Sequence, residues 1–214
     1  MGFDNLSPNG AGDSALQPAN LPIMDLGIAG RTAIVCASSR GLGRACAAAL
    51  AAAGCRVVVN GRNQAALKRT RTEIAAATGA EVIAVAADLS TAEGRMALLE
   101  AASEPDILVN NNGGPPPRDF RDLGREDMLA GLEANMIAPA LLIRAVLDGM
   151  VERRFGRIVN ITSGSVKAPI AGLELSSGAR AGLTGYVAGI ARAVAHADVT
   201  INNLLPGAFD TDRI

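Results

Sequence analysis

The sequence predicts an α/β protein: one doubly wound parallel sheet with helices on both faces, in a single domain. Three observations lead there. Short β-branched runs alternate with Ala- and Leu-rich stretches of helical spacing along most of the chain. The runs are continuously apolar, as in strands covered on both faces. A glycine-rich turn, CASSRGLGRA at 36–45, follows the first run directly.

The elements read in order as follows. Strands are expected at TAIVCA (32–37), RVVVN (56–60), EVIAVAA (81–87), DILVN (106–110), RIVNIT (157–162) and VTINNLL (199–205). Helices are expected at 42–54, 63–78, 91–102, 125–153 and 177–195. Ser90-Thr91-Ala92-Glu93 reads as a capping box with Ser90 at the N-cap. Residues 1–23, rich in Gly, Pro, Asn and Ser, lack periodicity and read as a disordered tail, with Met24 as a natural domain start. The domain then runs over 24–214 with no repeat or linker dividing it.

Composition narrows the function classes. A length of 214 residues suits one substantial core, and 49% hydrophobic content is ordinary for a globular chain. The net charge of −1 offers no field for nucleic acid. No stretch of 18 consecutive apolar residues is seen, so no membrane span is expected. The N-terminus lacks the basic start and apolar core of a signal peptide. Cys36, Cys46 and Cys55 form no C-x-x-C pair and have no histidine cluster nearby, so they read as buried small residues in a reducing cytosol. No metal site is expected, and a cytoplasmic location is.

In such a sheet, ligands bind at the carboxyl ends of the strands. After the first strand, Ser39, Arg40, Gly41, Leu42 and Gly43 would let a phosphate approach backbone N–H groups at a helix start, or form a plain helix-start turn. The second strand ends at Asn60-Gly61-Arg62, where a carboxylate for ribose hydroxyls would stand in an NAD site, and there is none. Arg40 and Arg62 would instead bracket a 2′-phosphate, which points to NADP(H); singly, either could be a solvated arginine. Asp88 and Leu89 close the third strand and would meet an adenine edge, or Asp88 is a turn residue. The fourth strand ends at Asn110, Asn111, Asn112, Gly113 and Gly114, followed by three stiffening prolines. The fifth ends at Ser163 and the sixth at Pro206-Gly207.

Taken together, these residues resemble the short-chain dehydrogenase/reductase family over about residues 28–214. The glycine turn is similar to the family's T-G-x-x-x-G-x-G, with Cys36 and Ala37 at the Thr and first Gly. Residues 110–113 match N-N-A-G with Asn112 in place of Ala. Asn135 in LEANM and Ser163 match the active-site Asn and Ser. Pro206-Gly207 to Thr211 matches P-G-x-x-x-T, whose Thr holds the nicotinamide carboxamide. The resemblance implies a Rossmann-like fold and hydride transfer between NADP(H) and a small carbonyl or alcohol. The resemblance is to a divergent subgroup similar to 3-oxoacyl-carrier-protein reductases.

It also exposes departures. The family's Y-x-x-x-K is expected at positions that here carry Ser176 and Arg180; Tyr186 has no Lys four residues on. In the family the Tyr moves the hydroxyl proton, the Lys grips the ribose and lowers the Tyr pKa, the Ser orients the carbonyl, and the Asn supports a water relay. Ser176 is no useful acid, and Arg180 stays charged, so its expected role is to donate to ribose hydroxyls. Substitute proton sources are a water among Ser163, Ser176 and Asn135, or Lys167 or Glu174, unless these two are solvated charges. A catalytically silent NADP(H)-binding protein is the alternative reading. Family members also continue past the equivalent of Ile214 with a substrate lid and final strand; the expectation here is either that the sequence is a fragment or that these are absent. Gly178, Gly182, Gly185 and Gly189 step along one helix. They suggest a homodimer or homotetramer face with the helix at 125–153, or close packing on the chain's own sheet.

Overall fold

The computed structural model describes residues 25–209, so the tail expected at 1–23 and Thr211 lie outside the described residues. Six strands are present: β1 (Thr32–Val35), β2 (Arg56–Gly61), β3 (Val82–Ala86), β4 (Ile107–Asn110), β5 (Gly156–Ile161) and β6 (Val199–Leu204). All pair in parallel, in the order β3-β2-β1-β4-β5-β6. The order reverses between β1 and β4, which opens a crevice at their carboxyl ends. The helices are α1 (Gly41–Ala52), α2 (Gln64–Thr78), α3 (Ala92–Glu100), α4 (Arg125–Leu132), α5 (Ala138–Glu152) and α6 (Glu174–Val194).

Alternate residues of each strand feed two cores. Ile34, Val58, Leu108 and Ile158 pack with Leu98, Leu142, Met150 and Leu183 from α3, α5 and α6. Val35, Val57, Val59 and Val109 pack with Ala47, Leu67 and Ile74 from α1 and α2. The α1/α2 layer does not cover β6, whose Thr200, Asn202 and Leu204 are exposed. Local signals fix the helix ends. In α2, Asn63 Oδ1 accepts from Ala66 N–H at 2.9 Å, and Gly79 closes the helix at φ 72°.

Two expectations are corrected. The N-cap of α3 is Thr91, not Ser90: its hydroxyl accepts from Gly94 N–H at 3.0 Å, while Ser90 Oγ donates to Asp88 at 2.7 Å. The single helix expected at 125–153 is interrupted by a π turn at Glu133–Ile137. Pro139 supplies the reason. An α-helix would bond its N–H to the Asn135 carbonyl, and proline has no N–H and crowds that carbonyl. The whole Arg125–Glu152 span is nonetheless apolar and long enough to cross a membrane, with mean hydropathy 1.5 over 18 residues. Within the fold it buries Leu142, Ile143, Val146 and Met150 against the sheet.

Candidate functional site

The carboxyl edge begins with the turn after β1. Ala37, at the position where a glycine was expected from the family pattern, adopts φ 44°. A left-handed residue with a Cβ costs about 1–2 kcal/mol, so neighbours must hold it. Its N–H donates to Asn60 Oδ1 at 3.3 Å, and its carbonyl accepts from Asn111 Nδ2 at 3.2 Å. Ala37→Gly is expected to stabilise the fold by up to about 1 kcal/mol, because relief of strain exceeds the added unfolded-state entropy. Thermal melts of the two proteins check this.

Gly41 takes φ 57°, and α1 starts with neither a side-chain cap bond nor an acidic residue in its first turn. Its N-terminal N–H groups and positive dipole end therefore meet the crevice. A Cβ on Gly43 would lie 2.5 Å from the Ala37 carbonyl oxygen and 2.8 Å from Asn111 Nδ2. Glycine is the residue that lets these backbones meet. Ser39 is pinned from α2 by the Thr70 hydroxyl, which donates to its carbonyl at 2.8 Å. A Cβ on Gly61 would come 3.1 Å from Ser39 Oγ, so the ends of β1 and β2 adjoin there. Arg40 and Arg62 are exposed beside this junction. Asp88 is held below the usual carboxylate range, first by its hydrogen bonds from Ser90 and then by the nearby Arg62 charge. Arg62 and Asp88 thus share one corner.

Three residues expected to face a ligand turn inward. Asn60 is buried; its Nδ2 donates to the carbonyls of Val85 and Ala87 at 3.1 Å each, so it stitches β1 to β3. Leu89 buries its side chain in the core, which leaves its backbone for any contact. Asn110 Nδ2 donates to Asn160 Oδ1 at 2.9 Å, and Asn160 Nδ2 donates to Asn203 Oδ1 at 3.0 Å. This amide ladder joins β4, β5 and β6 at their carboxyl ends. Its sequence signal was available: each of these three apolar runs carries an Asn in its C-terminal half. Cys36 lies at the far end of the ladder, 3.9 Å from Asn110 Oδ1, and burial pushes its thiol up to about 12, so it remains a thiol at neutral pH.

The β4, β5 and β6 ends and α6 form the second half of the edge. Asn112 Nδ2 donates to the Ala134 carbonyl in the π turn at 2.9 Å. Asn135 is 3% exposed and lacks a partner for its Oδ1. It lines a cavity with Asn110, Asn112, Asn160, Arg180 and Leu183. Ser163 Oγ accepts from Ser165 N–H and pairs with Ser165 Oγ at 3.0 Å. Gly164 N–H donates to the Pro206 carbonyl at 2.8 Å, which brings Pro206-Gly207 against the end of β5. Ser176 is buried, and its Oγ accepts from Arg180 Nε at 3.2 Å. Arg180 Nη1 donates to the carbonyls of Ile161 and Thr162 at 2.9 and 3.0 Å, and Nη2 to that of Asn112 at 2.9 Å. Lys167, Glu174 and His196 are exposed, and Glu174 accepts from Gly172 N–H at 3.1 Å.

The edge thus assembles a glycine turn with two arginines on one side of the switch point, and Asn135, Ser163, Ser176 and Arg180 on the other. Comparison with known proteins shows the family. The family model described as short chain dehydrogenase matches residues 31–214. A 3-oxoacyl-[acyl-carrier-protein] reductase of Synechocystis is 35% identical over 187 residues, which are 85% of this chain and 75% of that protein. The human inactive hydroxysteroid dehydrogenase-like protein 1 is 32% identical over 182 residues, 83% of this chain and 55% of that protein. Among solved structures, L-sorbose reductase from Gluconobacter frateurii, complexed with NADPH and L-sorbose, superposes with a TM-score of 0.85 at 28% identity. That match covers 89% of this chain and 74% of the reductase.

Proposed function

This chain belongs to the short-chain dehydrogenase family, an oxidoreductase family, and from that premise we propose that it is an NADP(H)-dependent oxidoreductase acting on a carbonyl or secondary alcohol, a 3-oxoacyl thioester being one candidate. The observation that carries the cofactor choice is the end of β2: Gly61-Arg62 beside Ser39-Arg40, with no carboxylate within Asn60–Arg62 to bond ribose hydroxyls. The NADPH bound by the L-sorbose reductase supports the same reading.

The residues fit such a group. The Gly41–Gly43 turn would take the pyrophosphate on the N–H groups of α1. Arg40 and Arg62 would grip the 2′-phosphate, Asp88 and the Leu89 backbone the adenine, and Asn111, Gly113, Pro206 and Gly207 the nicotinamide half, with Thr211 beyond them. Once bound, the nicotinamide supplies or accepts hydride. Ser163 orients the substrate by donating to its carbonyl oxygen. Neither Ser176 nor Arg180 releases a proton at working pH, so water is the proton source for that oxygen. Loss of a positioned general acid lowers the rate by about 10²–10⁴, so a slow enzyme is expected.

A second reading is favoured by the hydrogen bond between Arg180 and Ser176: a catalytically silent NADP(H) binder. One experiment separates the two. Purified protein with NADPH and a broad carbonyl panel, followed by cofactor absorbance, should show turnover that Ser163→Ala abolishes. NADPH binding without oxidation on any substrate would leave the silent reading.

The face of α6 supports self-association. A Cβ on Gly178, Gly185 or Gly189 would meet nothing within 4 Å, and Tyr186 beside them is 47% exposed. Gly182 alone packs inward, where a Cβ would come 2.8 Å from Met136 Sδ. The open glycines thus fit a homodimer or homotetramer face better than packing on the chain's own sheet. Tyr186→Arg with Gly189→Glu is expected to yield monomers by light scattering, against a wild-type dimer or tetramer.

A further inference from the structure

We infer that Arg180 is a positioning residue that clamps the ends of β4 and β5 together, rather than a ligand standing in for a ribose-binding lysine. The inference rests on the reading that this edge holds NADP(H). Strands β4 and β5 pair in register as far as Asn110 and Asn160. Beyond that pair the β4–β5 register ends, and the carbonyls of Asn112, half-buried, and of Ile161 and Thr162, buried, need donors. The Arg180 guanidinium, 7% exposed, reaches Asn112 O on the β4 side and Ile161 O and Thr162 O on the β5 side. Its Nε is fixed on Ser176 from the same helix. Four of the five N–H donors of a guanidinium are accounted for by these contacts. A planar fork spans acceptors on two strands and a helix at once, and a lysine ammonium is a single point that does not.

The residues that depart from the family pattern here touch one another. Asn112 gives its carbonyl to Arg180 and its side chain to Ala134, and Ser176 accepts from Nε. A tyrosine at 176 would not leave the same small acceptor beneath the guanidinium. Positions 112, 176 and 180 therefore act as one unit. The unit sets where Asn111, Gly113 and Ser163 stand, since each lies next to a clamped carbonyl or a few bonds beyond one.

The test is Arg180→Lys, read by melting temperature and by affinity for NADPH and for 2′,5′-ADP, which lacks the nicotinamide half. The clamp predicts a melting temperature lower by about 5 °C or more, from buried carbonyls left without donors. It predicts NADPH weakened about 10-fold or more, with 2′,5′-ADP changed by less than about 2-fold, because the adenosine half lies across the switch point. Unchanged stability and NADPH affinity would overturn it, since a lysine would then serve as well. Equal weakening of both ligands would also overturn it, as a general loss of fold. The melt needs no ligand, so it reads the clamp even if NADPH does not bind and the functional reading fails. If the variant does not fold, nitrogen NMR of ligand-free wild type decides. A guanidinium with separately resolved, exchange-protected Nη protons in contact with Ile161 and Ser176 supports the clamp, and freely averaging signals refute it.

Discussion

Replacing Arg40 and Arg62 together by alanine is expected to weaken NADPH binding by about 100-fold or more while leaving NADH within a few-fold. A hydrogen bond to a charged group contributes about 1.5–3 kcal/mol, so two such groups on one phosphate account for two to four decades, reduced by their exposure. Ionic strength should matter in the same direction: wild-type NADPH affinity falls as salt rises, and the double variant loses most of that dependence. Each arginine alone should carry part of the effect. Calorimetric titration of the four proteins with both dinucleotides checks the prediction. Equal loss of NADPH and NADH would mean that the arginines maintain the turn and do not read the phosphate.

Gly43→Ala is expected to have an effect of similar size with a different signature. The added Cβ would sit 2.5 Å from the Ala37 carbonyl oxygen, and backbone does not yield as a flexible side chain does. Overpacking of this kind costs about 1–3 kcal/mol. Relief requires α1 to move away from the β1 turn, which shifts the N–H groups that would face the pyrophosphate. Both NADPH and NADH should weaken, by about 100-fold, because both carry a pyrophosphate. The melting temperature should fall as well. A Gly43→Ala protein that keeps wild-type affinity for either dinucleotide would place the phosphates elsewhere.

The strands were legible because β-branched runs such as RVVVN and RIVNIT have few other stable uses, and observed strand ends differ from the expected ones by at most two residues. The parallel direction of the strands followed from strict alternation with helices. The π turn was missed because helical periodicity runs unbroken through LEANMIAPA; Pro139 carried the signal, four residues after Asn135. The strand-end asparagines were legible as polar residues at the right places, but not in their direction. Whether Asn60 or Asn110 points to solvent or along the sheet depends on the partner amides and carbonyls that the fold brings to it. Arg180 was the least legible residue. A guanidinium among small residues suggested a group aimed at a ligand, and its partners are backbone carbonyls up to 68 residues away in sequence. Nothing local in the sequence encodes them.

Cofactor recognition and turnover are therefore expected to separate. In the proposed reading the turn after β1 and the arginine corner would carry the first, and the strand ends around Ser163, Ser176 and Arg180 would limit the second. The most direct test of the account is a side-by-side titration of the unaltered protein with NADPH and NADH. Saturable one-to-one binding of NADPH, with NADH weaker by about 100-fold, is the predicted result. Binding of neither, or of both with the same affinity, would contradict it.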